Sequence, residues 1–279
     1  MRELLKHLAS STSAGGLRFW TRGVAVPPRA REILCRLDEP SGPDVEVLKK
    51  SFRRSVFRLN SFSPELPSVI IKGFPLKKIE SRLKYKKYGL AEFSHYQLAA
   101  ARRIPLPRCY GYFEIRTFGL VKANGLLLED LRDHRNLDQL SQAQPERRLA
   151  VLSLAIPILK LLYETGVNHI DTKPHNLMQS PDGADLRLID WQYCSFVAPR
   201  QIAQLLLQAA RFLYSAKCAP HTPDWSRWLE ELHAACAGPL PRERFQEAVA
   251  ALQARKKILS QDRLNLVLDG VTHVLIGRS

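Results

Sequence analysis

Acidic residues and long apolar runs are both scarce in this sequence of 279 residues. It has 27 Asp and Glu against 42 Lys and Arg, which gives a formal net charge of +15. The longest apolar candidate, residues 150–159, ends at Lys160 and is well short of the ~20 residues that a membrane-spanning helix needs. Residues 1–7 also lack the apolar core of a signal peptide. We therefore expect a soluble cytoplasmic chain, or one that is peripheral to a membrane.

Cysteine is sparse and shows no pattern. The five cysteines are odd in number, and no two of them have C-x-x-C spacing. This argues against a disulfide framework and against a structural zinc site, and it fits a reducing compartment. Cys194 lies near the candidate site described below, but the sequence positions no base beside it, so we assign it no catalytic role.

The excess of positive charge indicates an anionic partner, which could be a nucleic acid, a phospholipid surface or a phosphorylated substrate. Residues 77–87 contain six Lys or Arg in eleven positions. Such a run could hold an anionic glycolipid or a phosphoryl substrate, or it could simply be a solvated face. No nucleic-acid-binding motif accompanies the charge, so a nucleic-acid partner is not expected.

The pattern of secondary structure changes once along the chain. Residues 1–43 are interrupted by G-G, P-P and P-S-G-P and are predicted to form an N-terminal extension with one short helix at 29–37. Residues 44–130 carry five short β-rich segments and one helical pattern at 87–102. Residues 131–279 are predicted to be mainly helical. The helical patterns there cover residues 147–164, 199–216, 224–237 and 242–258.

One segment of the second half is the most informative. Residues 169–176 read H-I-D-T-K-P-H-N, and an apolar run ends in Asp190 fourteen residues later. This pattern is typical of a kinase catalytic loop followed by a metal-binding strand. Asp171 is the candidate for orienting the attacking hydroxyl. Asn176 and Asp190 are the candidates for holding magnesium, which prefers oxygen ligands.

Two more residues of this segment have predicted roles. Lys173 follows Asp171 by two positions and could steady a γ-phosphate. His169 is expected to orient the loop through hydrogen bonds rather than to act as an acid. Isolated Asp and Asn residues recur by chance in long chains. The helix that ends at Gly166 and the apolar strand at 186–189 supply the context that favours the kinase-like interpretation.

The first half supplies a candidate nucleotide-binding pair. Residues 69–72, V-I-I-K, resemble the strand whose Lys contacts the α- and β-phosphates of ATP. Glu92, on the helical pattern that follows, is the predicted ion-pair partner of Lys72, with Glu80 as a rival. The alternative for Lys72 is an ordinary lysine at the end of a strand.

Three landmarks of regulated protein kinases are missing. Residues 49–55, K-K-S-F-R-R-S, contain no glycine although they lie between the first two strands of residues 44–130. Backbone amides and basic side chains could still meet phosphate there, or the segment is only a solvated hairpin. D-W-Q at 190–192 replaces D-F-G, and no A-P-E follows it. A switchable activation loop is therefore not implied.

With these residues in place, the sequence resembles the protein-kinase-like superfamily and, within it, the bacterial lipopolysaccharide core sugar (Kdo and heptose) kinase family. The resemblance covers about residues 45–215. It implies an α+β, protein-kinase-like bilobal fold, with a small antiparallel sheet and one helix in the N-lobe and a mainly helical C-lobe. The residues that carry the resemblance are Ile71-Lys72, Glu92, Ile104-Pro105, the segment 166–171, Asn176 and the segment 188–190.

The resemblance also implies an activity. That family transfers the γ-phosphate of ATP, with Mg²⁺, to a sugar hydroxyl of the lipid A–core molecule at the cytoplasmic face of the inner membrane. The implied partner is an anionic glycolipid, the lipopolysaccharide core, with a possible membrane surface beside it. Lys173 is a departure from the pattern of small-molecule kinases, because it is the residue that protein kinases have at this position and small-molecule kinases often differ there.

Other functions remain open at this point. An aminoglycoside- or choline-type phosphotransferase would be expected to have an acidic substrate pocket, which the overall charge opposes. Lys173 favours a protein kinase, whereas the missing activation-segment landmarks disfavour one. A pseudokinase scaffold has no need to retain all four of the residues Lys72, Asp171, Asn176 and Asp190.

Overall fold

The computed structural model describes residues 9–12, 16–37, 39–238 and 240–254. The chain divides into two compact units. The first, called here the sheet unit, comprises Met1–Leu98 and Pro107–Arg132. The second, the helical unit, comprises Ala99–Leu106 and Asp133–Ser279. The segment limits proposed from the sequence, at residues 43 and 130, stay predictions.

The sheet unit is built on one antiparallel sheet of seven strands in the order β1-β2-β6-β7-β5-β4-β3. The strands are β1 Ala9–Thr12, β2 Leu17–Thr21, β3 Val45–Lys50, β4 Ser55–Asn60, β5 Ser68–Pro75, β6 Cys109–Thr117 and β7 Leu120–Glu129. The helices that accompany it are α1 Pro28–Cys35, α2 Ile79–Leu83 and most of α3 Gly89–Ala101.

The sheet has two more strands than the five predicted, and both come from the segment that was expected to be an extension. β2 pairs with β6 from Leu17, opposite Ile115, to Thr21, opposite Gly111. Leu17 and Phe19 are buried in the same apolar core as Leu34 of α1. Burial of every second residue of β2 explains why it forms a strand despite its short length.

The helical unit contains six α-helices and five short strands among its described residues. The helices are α4 Leu137–Ala143, α5 Arg148–Ser153, α6 Ile156–Thr165, α7 Ile202–Ser215, α8 Pro223–Ala235 and α9 Arg242–Ala254. The strands are β8 Arg135–Asn136, β9 Val167–His169, β10 Leu177–Gln179, β11 Leu186–Leu188 and β12 Cys194–Phe196. β10 lies between β8 and β11, and β9 pairs with β12. Residues 255–258 of the last predicted helix lie outside the described residues.

The single helix predicted over 147–164 is two helices, α5 and α6. Pro157 occupies the first turn of α6, where its missing N–H costs no hydrogen bond. In a continuous helix the same proline would remove the bond to Ser153 and its ring would clash there. The break therefore follows from Pro157, which the periodicity of apolar residues does not register.

Aromatic side chains fill the core of the helical unit. Trp228 stacks on Phe212 with the ring centroids 4.9 Å apart and the planes 9° from parallel. Its indole N–H donates to the carbonyl of Leu152 over 3.1 Å. Helix α7 is thus fixed against its neighbours. No helix among the residues described by the structure combines the length and the apolar character required to cross a bilayer.

Candidate active site

The segment with the kinase-like motif lies between two strand pairs of the helical unit. β9 leads into it and is paired with β12, while β10 leaves it and is paired with β11. Helix α6 ends immediately before β9 at Gly166, whose φ of 65° is the left-handed conformation that favours glycine. A Cβ at this position would lie 2.2 Å from the carbonyl oxygen of Val197. A glycine is therefore needed where the chain enters the site.

Asp171 is the centre of the site's polar contacts. Its Oδ1 accepts from Nη2 of Arg211 over 2.8 Å, and its Oδ2 accepts from Nζ of Lys173 over 2.7 Å. Burial alone would raise the pKa of Asp171, but the hydrogen bonds from Lys173 and Arg211 outweigh it and lower that pKa to about 2. Asp171 is therefore a carboxylate at every physiological pH.

Hydrogen bonds hold Asn176 beside Asp171, and a further hydrogen bond holds Ile189, the residue before Asp190, beside Asn176. The Nδ2 of Asn176 donates to the carbonyl oxygen of Asp171 over 2.9 Å and lies 3.3 Å from its Oδ2. The backbone N–H of Ile189 donates to the carbonyl of Asn176 over 2.9 Å. The residue that follows Ile189 is Asp190, so the two predicted metal ligands are brought together through the backbone.

Asp190 has a φ of 65°, which is uncommon for a residue other than glycine. Asp and Asn tolerate this conformation better than most residues because their short side chains can bond to the local backbone. A residue held in such a conformation is often found at a functional site. At Asp190, two residues after β11, the backbone therefore turns away from the extended course of that strand.

His169 ties the start of the loop to the segment that contains Asp190. Its Nε2 lies 3.1 Å from the carbonyl oxygens of Ile189 and of Asp190. Carbonyl oxygens only accept, so Nε2 carries the proton of the ring. Burial lowers the pKa of His169 to about 4, which keeps the ring neutral at pH 7. These contacts agree with an orienting role for His169, and that role stays a prediction.

Helix α7 contributes three residues that the sequence reading missed. Gln204 Nε2 donates to the carbonyls of Leu162 and Val167, over 2.9 and 2.7 Å. Gln208 Nε2 donates to Val167 as well, over 3.3 Å. With Arg211 on Asp171, the three side chains recur every three or four residues along one helical face. This face holds the end of α6, the first residue of β9 and the carboxylate that follows β9.

One signal in the sequence could have drawn attention to Arg211. It is the only charged residue in the fourteen residues of α7, which otherwise read I-A-Q-L-L-L-Q-A-A-x-F-L-Y-S. A lone charge in an apolar helix is usually paired, since an unpaired buried charge is costly. The sequence does not indicate that its partner is Asp171, because the two residues are forty positions apart.

Lys72 and Glu92 form an ion pair in the sheet unit. Nζ of Lys72 lies 2.6 Å from Oε1 of Glu92, and both side chains are almost fully buried. Lys72 belongs to β5, where it is paired with Val56 of β4 and Leu126 of β7. Glu92 belongs to α3. Glu80, the rival partner, is exposed in α2. The role of the Lys72–Glu92 pair in nucleotide binding stays a prediction.

The segment without glycine forms a tight turn between β3 and β4. The N–H of Ser51 donates to the carbonyl of Arg54 over 2.8 Å, and the Oγ of Ser51 accepts from the N–H of Arg54 over 3.1 Å. Phe52 at the tip of this turn is 60% exposed. A serine side chain thus closes a turn that needs no left-handed residue.

The residues of the helical unit fit magnesium held in part by a nucleotide. No group of three or more His, Cys, Asp or Glu capable of holding a metal occurs within the described ranges. A cage made only of protein side chains of these types is therefore not formed there. Magnesium typically takes one or two carboxylates and completes its shell with water and phosphate oxygens. Asp190 and the side-chain oxygen of Asn176 are donors of this kind.

No protein-family model matches the chain. A solved structure of WaaP in complex with acyl carrier protein is similar to it, with a TM-score of 0.55 and 15% sequence identity. The match covers 88% of this chain and 98% of that chain. The α+β, protein-kinase-like bilobal fold is thereby confirmed. The resemblance to the lipopolysaccharide core kinases is confirmed at the level of the fold, which is all that this degree of identity establishes.

Proposed function

We propose that this chain is an ATP-dependent phosphotransferase with an alcohol acceptor, and that the acceptor is a sugar hydroxyl of the lipopolysaccharide core. The observation that carries the proposal is the loop in which Asp171, Asn176 and the backbone leading to Asp190 are joined by hydrogen bonds. A phosphoryl transfer asks the protein mainly to position the reactants and to neutralise phosphate charge.

Each residue of the loop has a role in the proposed reaction. Asp171 orients the acceptor hydroxyl and receives its proton late in the transfer, because a carboxylate with a pKa of about 2 is too weak a base to remove it beforehand. Lys173 steadies the γ-phosphate. Asn176 and Asp190 hold Mg²⁺, which neutralises phosphate charge when it is bound.

The sheet unit supplies the nucleotide contact in this proposal. Lys72 binds the α- and β-phosphates of ATP, and Glu92 keeps the lysine extended toward them. A buried lysine paired with a carboxylate is suited to this role, because the ion pair holds its Nζ in place.

Charge supports the proposed acceptor. A net charge of +15 favours a substrate rich in phosphate and carboxylate groups over a cationic one such as an aminoglycoside or choline. An acceptor embedded in a membrane would place the protein at the cytoplasmic face of the inner membrane as a peripheral protein. The similarity in fold to WaaP agrees with this acceptor class.

The proposal is tested by ATP turnover in the presence of magnesium, with the wild-type chain compared with Asp171→Ala. We expect the variant to lose about 100-fold to 10,000-fold in rate, the range that a positioned acid–base group contributes. Wild-type protein that neither binds nor hydrolyses ATP would contradict the kinase interpretation. Chelation of magnesium should lower the rate of wild-type turnover at least as much as the Asp171→Ala substitution does.

The acceptor is identified by phosphate incorporation across a panel. Purified lipopolysaccharide, small sugars, an aminoglycoside and a generic protein substrate are incubated with labelled ATP. We expect incorporation into lipopolysaccharide, and none when the same lipopolysaccharide is supplied to Asp171→Ala. Preferential labelling of the aminoglycoside or the protein would replace the proposed acceptor while leaving the phosphotransferase class intact.

Acyl carrier protein is a candidate partner, because it accompanies WaaP in the similar structure. Size-exclusion chromatography of the two purified proteins together checks this, since a stable complex elutes before either component. Separate elution at low ionic strength would remove the candidate.

A further inference from the structure

The positive charge of the chain is concentrated in one part of the sheet unit. Residues 47–87 contain twelve Lys or Arg and two Glu, and so hold ten of the fifteen excess positive charges of the whole sequence. Eight of these cations are exposed. They are Lys49, Lys50, Arg53, Lys77, Lys78, Lys84, Lys86 and Lys87.

Large apolar side chains stand exposed among these cations. Phe52 is 60% exposed, Ile79 is 56% exposed and Leu83 is 68% exposed. Ile79 and Leu83 are the first and last residues of α2, and their spacing of four positions places them on one face of the helix. We call these three residues, together with the eight cations, the basic–apolar surface.

Two observations show that the parts of this surface adjoin. Nζ of Lys77 lies 5.2 Å from the centroid of the Phe52 ring, so the β3–β4 turn contacts the segment just before α2. In the sheet, Ser55 of β4 is paired with Gly73 of β5, two residues before the end of that strand. The turn and the start of α2 are therefore neighbours through the register of the sheet.

We propose that the basic–apolar surface docks the protein on an anionic lipid bilayer. Its exposed lysines attract anionic headgroups, since each Lys or Arg close to such a surface adds to the binding. The three apolar side chains can enter the boundary between headgroups and acyl chains, as the apolar face of an interfacial segment does. The long lysine stems allow their charges to stay with the headgroups.

Other anionic partners use only part of this surface. A nucleic acid would be held by the cations and would make little use of Ile79 and Leu83. A folded acidic protein requires a contiguous apolar patch with a polar rim. Here Ile79 and Leu83 lie on a helix of only five residues and Phe52 lies on a turn, with exposed cations around them rather than a broad apolar patch. Only the bilayer combines anionic groups with apolar depth over a wide area.

This inference deepens the proposed function, because a membrane-embedded acceptor must be approached from the bilayer surface. The docking itself does not depend on phosphoryl transfer. Binding to vesicles without ATP is therefore measured separately from turnover. Loss of turnover in a chain that still binds vesicles would count against the proposed reaction and not against the docking surface.

The test is co-sedimentation of the full chain with vesicles of phosphatidylglycerol and phosphatidylethanolamine, compared with vesicles of phosphatidylcholine alone. We expect binding to the anionic vesicles, weakened when salt rises from about 0.05 M to about 0.5 M. Equal binding to neutral vesicles, or no binding to anionic ones, would overturn the proposal. A protein that is retained by DNA or acidic protein but not by the vesicles would overturn it too.

Matched variants then locate the surface. Lys78→Glu with Lys84→Glu and Lys86→Glu should reduce vesicle partitioning about tenfold or more. The control changes the same charge at three exposed cations of the helical unit, Arg147→Glu with Lys217→Glu and Arg244→Glu. Equal losses in both triple variants would show that net charge alone drives the binding, and would reject this surface.

The apolar residues are tested by Ile79→Ser with Leu83→Ser. We expect about a tenfold loss of partitioning, with turnover on a soluble acceptor unchanged. The control is Phe118→Ser with Leu120→Ser, since Phe118 is 100% exposed and Leu120 is 37% exposed in the same unit. Unchanged binding by the first pair, or an equal loss by the control pair, would reject the apolar part of the surface.

Discussion

Two cations and an amide meet at the carboxylate of Asp171. Lys173 and Arg211 each bond to a different oxygen, and Asn176 contacts Oδ2 and the backbone carbonyl. The carboxylate therefore has its rotamer fixed before any substrate arrives. In the proposed reaction this pre-organisation lowers the cost of orienting the acceptor hydroxyl.

Arg211 is a positioning residue for Asp171, and its replacement tests this. Within the proposed reaction, Arg211→Ala should lower kcat by up to about 100-fold while KM for ATP stays nearly unchanged, because the displaced group is Asp171. Losing one cation also raises the pKa of Asp171. The carboxylate is then protonated at a higher pH, so the acid limb of the kcat–pH profile moves upward. Because the pKa of Asp171 is about 2 in the wild type, its acid limb lies below the range of about pH 4 to pH 8 in which steady-state rates are measured, and the expected result is an acid limb that enters this range in Arg211→Ala.

The conservative variant Arg211→Lys distinguishes position from charge. It keeps a cation but not the planar guanidinium, so we expect the acid limb to return toward that of the wild type while kcat recovers only in part. A merely structural role would lower thermal stability without moving the pH profile. An Arg211→Ala variant with the wild-type profile and rate would refute the positioning role.

At the scale of elements, the turn from α6 into β9 determines where the site begins. Gly166→Ala should lower the free energy of unfolding by about 3 kcal/mol or more, since it adds left-handed strain and a backbone clash. The clash is with the carbonyl oxygen of Val197, 2.2 Å from the added Cβ. Urea unfolding of the wild type and the variant at pH 7 measures the difference.

Gly119 provides the matched control for Gly166. Its φ of 79° is also left-handed, but an added Cβ would meet nothing within 4 Å. Gly119→Ala should therefore cost only the conformational part, on the order of 1 kcal/mol. Equal losses of unfolding free energy in the two variants would show that the close approach of Val197 to Gly166 contributes nothing.

The elements that the sequence predicts well are those specified locally. The strand of Lys72 and the loop from Asp171 to Asn176 are each defined by a short run of residues that are neighbours both in the sequence and in the structure. The end of α3 at Ala101 depends on capping and packing that apolar periodicity does not record, and the break before Pro157 depends on a proline that the same periodicity does not register.

Contacts between distant positions were beyond the sequence alone. Gln204, Gln208 and Arg211 reach residues that are 37 to 42 positions away. Nothing in the local sequence names those partners. β2 was missed for a similar reason, because its five residues become a strand only when β6 is present to pair with them.

At the scale of the molecule, one buried histidine should make stability sensitive to acid. Burial lowers the pKa of His169 from 6.5 to about 4. Between these values the unfolded chain binds a proton that the folded chain excludes, so stability is complete above pH 6.5 and falls as the pH drops toward 4. The free energy of unfolding falls by on the order of 3 kcal/mol, because the pKa of His169 drops from 6.5 to about 4 and each pH unit of that difference is worth about 1.4 kcal/mol.

His169→Gln removes this proton while keeping a side-chain N–H for the two carbonyls. We expect the variant to be less stable at pH 7, and its unfolding midpoint in urea to change less than that of the wild type from pH 6.5 to pH 4. The control is His175→Gln, since His175 is exposed in the same segment. Wild-type acid sensitivity in the His169 variant would contradict this account.

The pairing of β2 with β6 also bears on the order of events during synthesis. β2 ends at Thr21, and its partner begins at Cys109. A ribosome adding about 5 to 20 residues each second needs roughly 5 to 20 s to make the intervening stretch. Throughout that interval β2, which carries the apolar side chains of Leu17 and Phe19, lacks the strand with which it pairs in the sheet. β2 thus leaves the ribosome well before its partner strand, and chaperones have that interval in which to bind it.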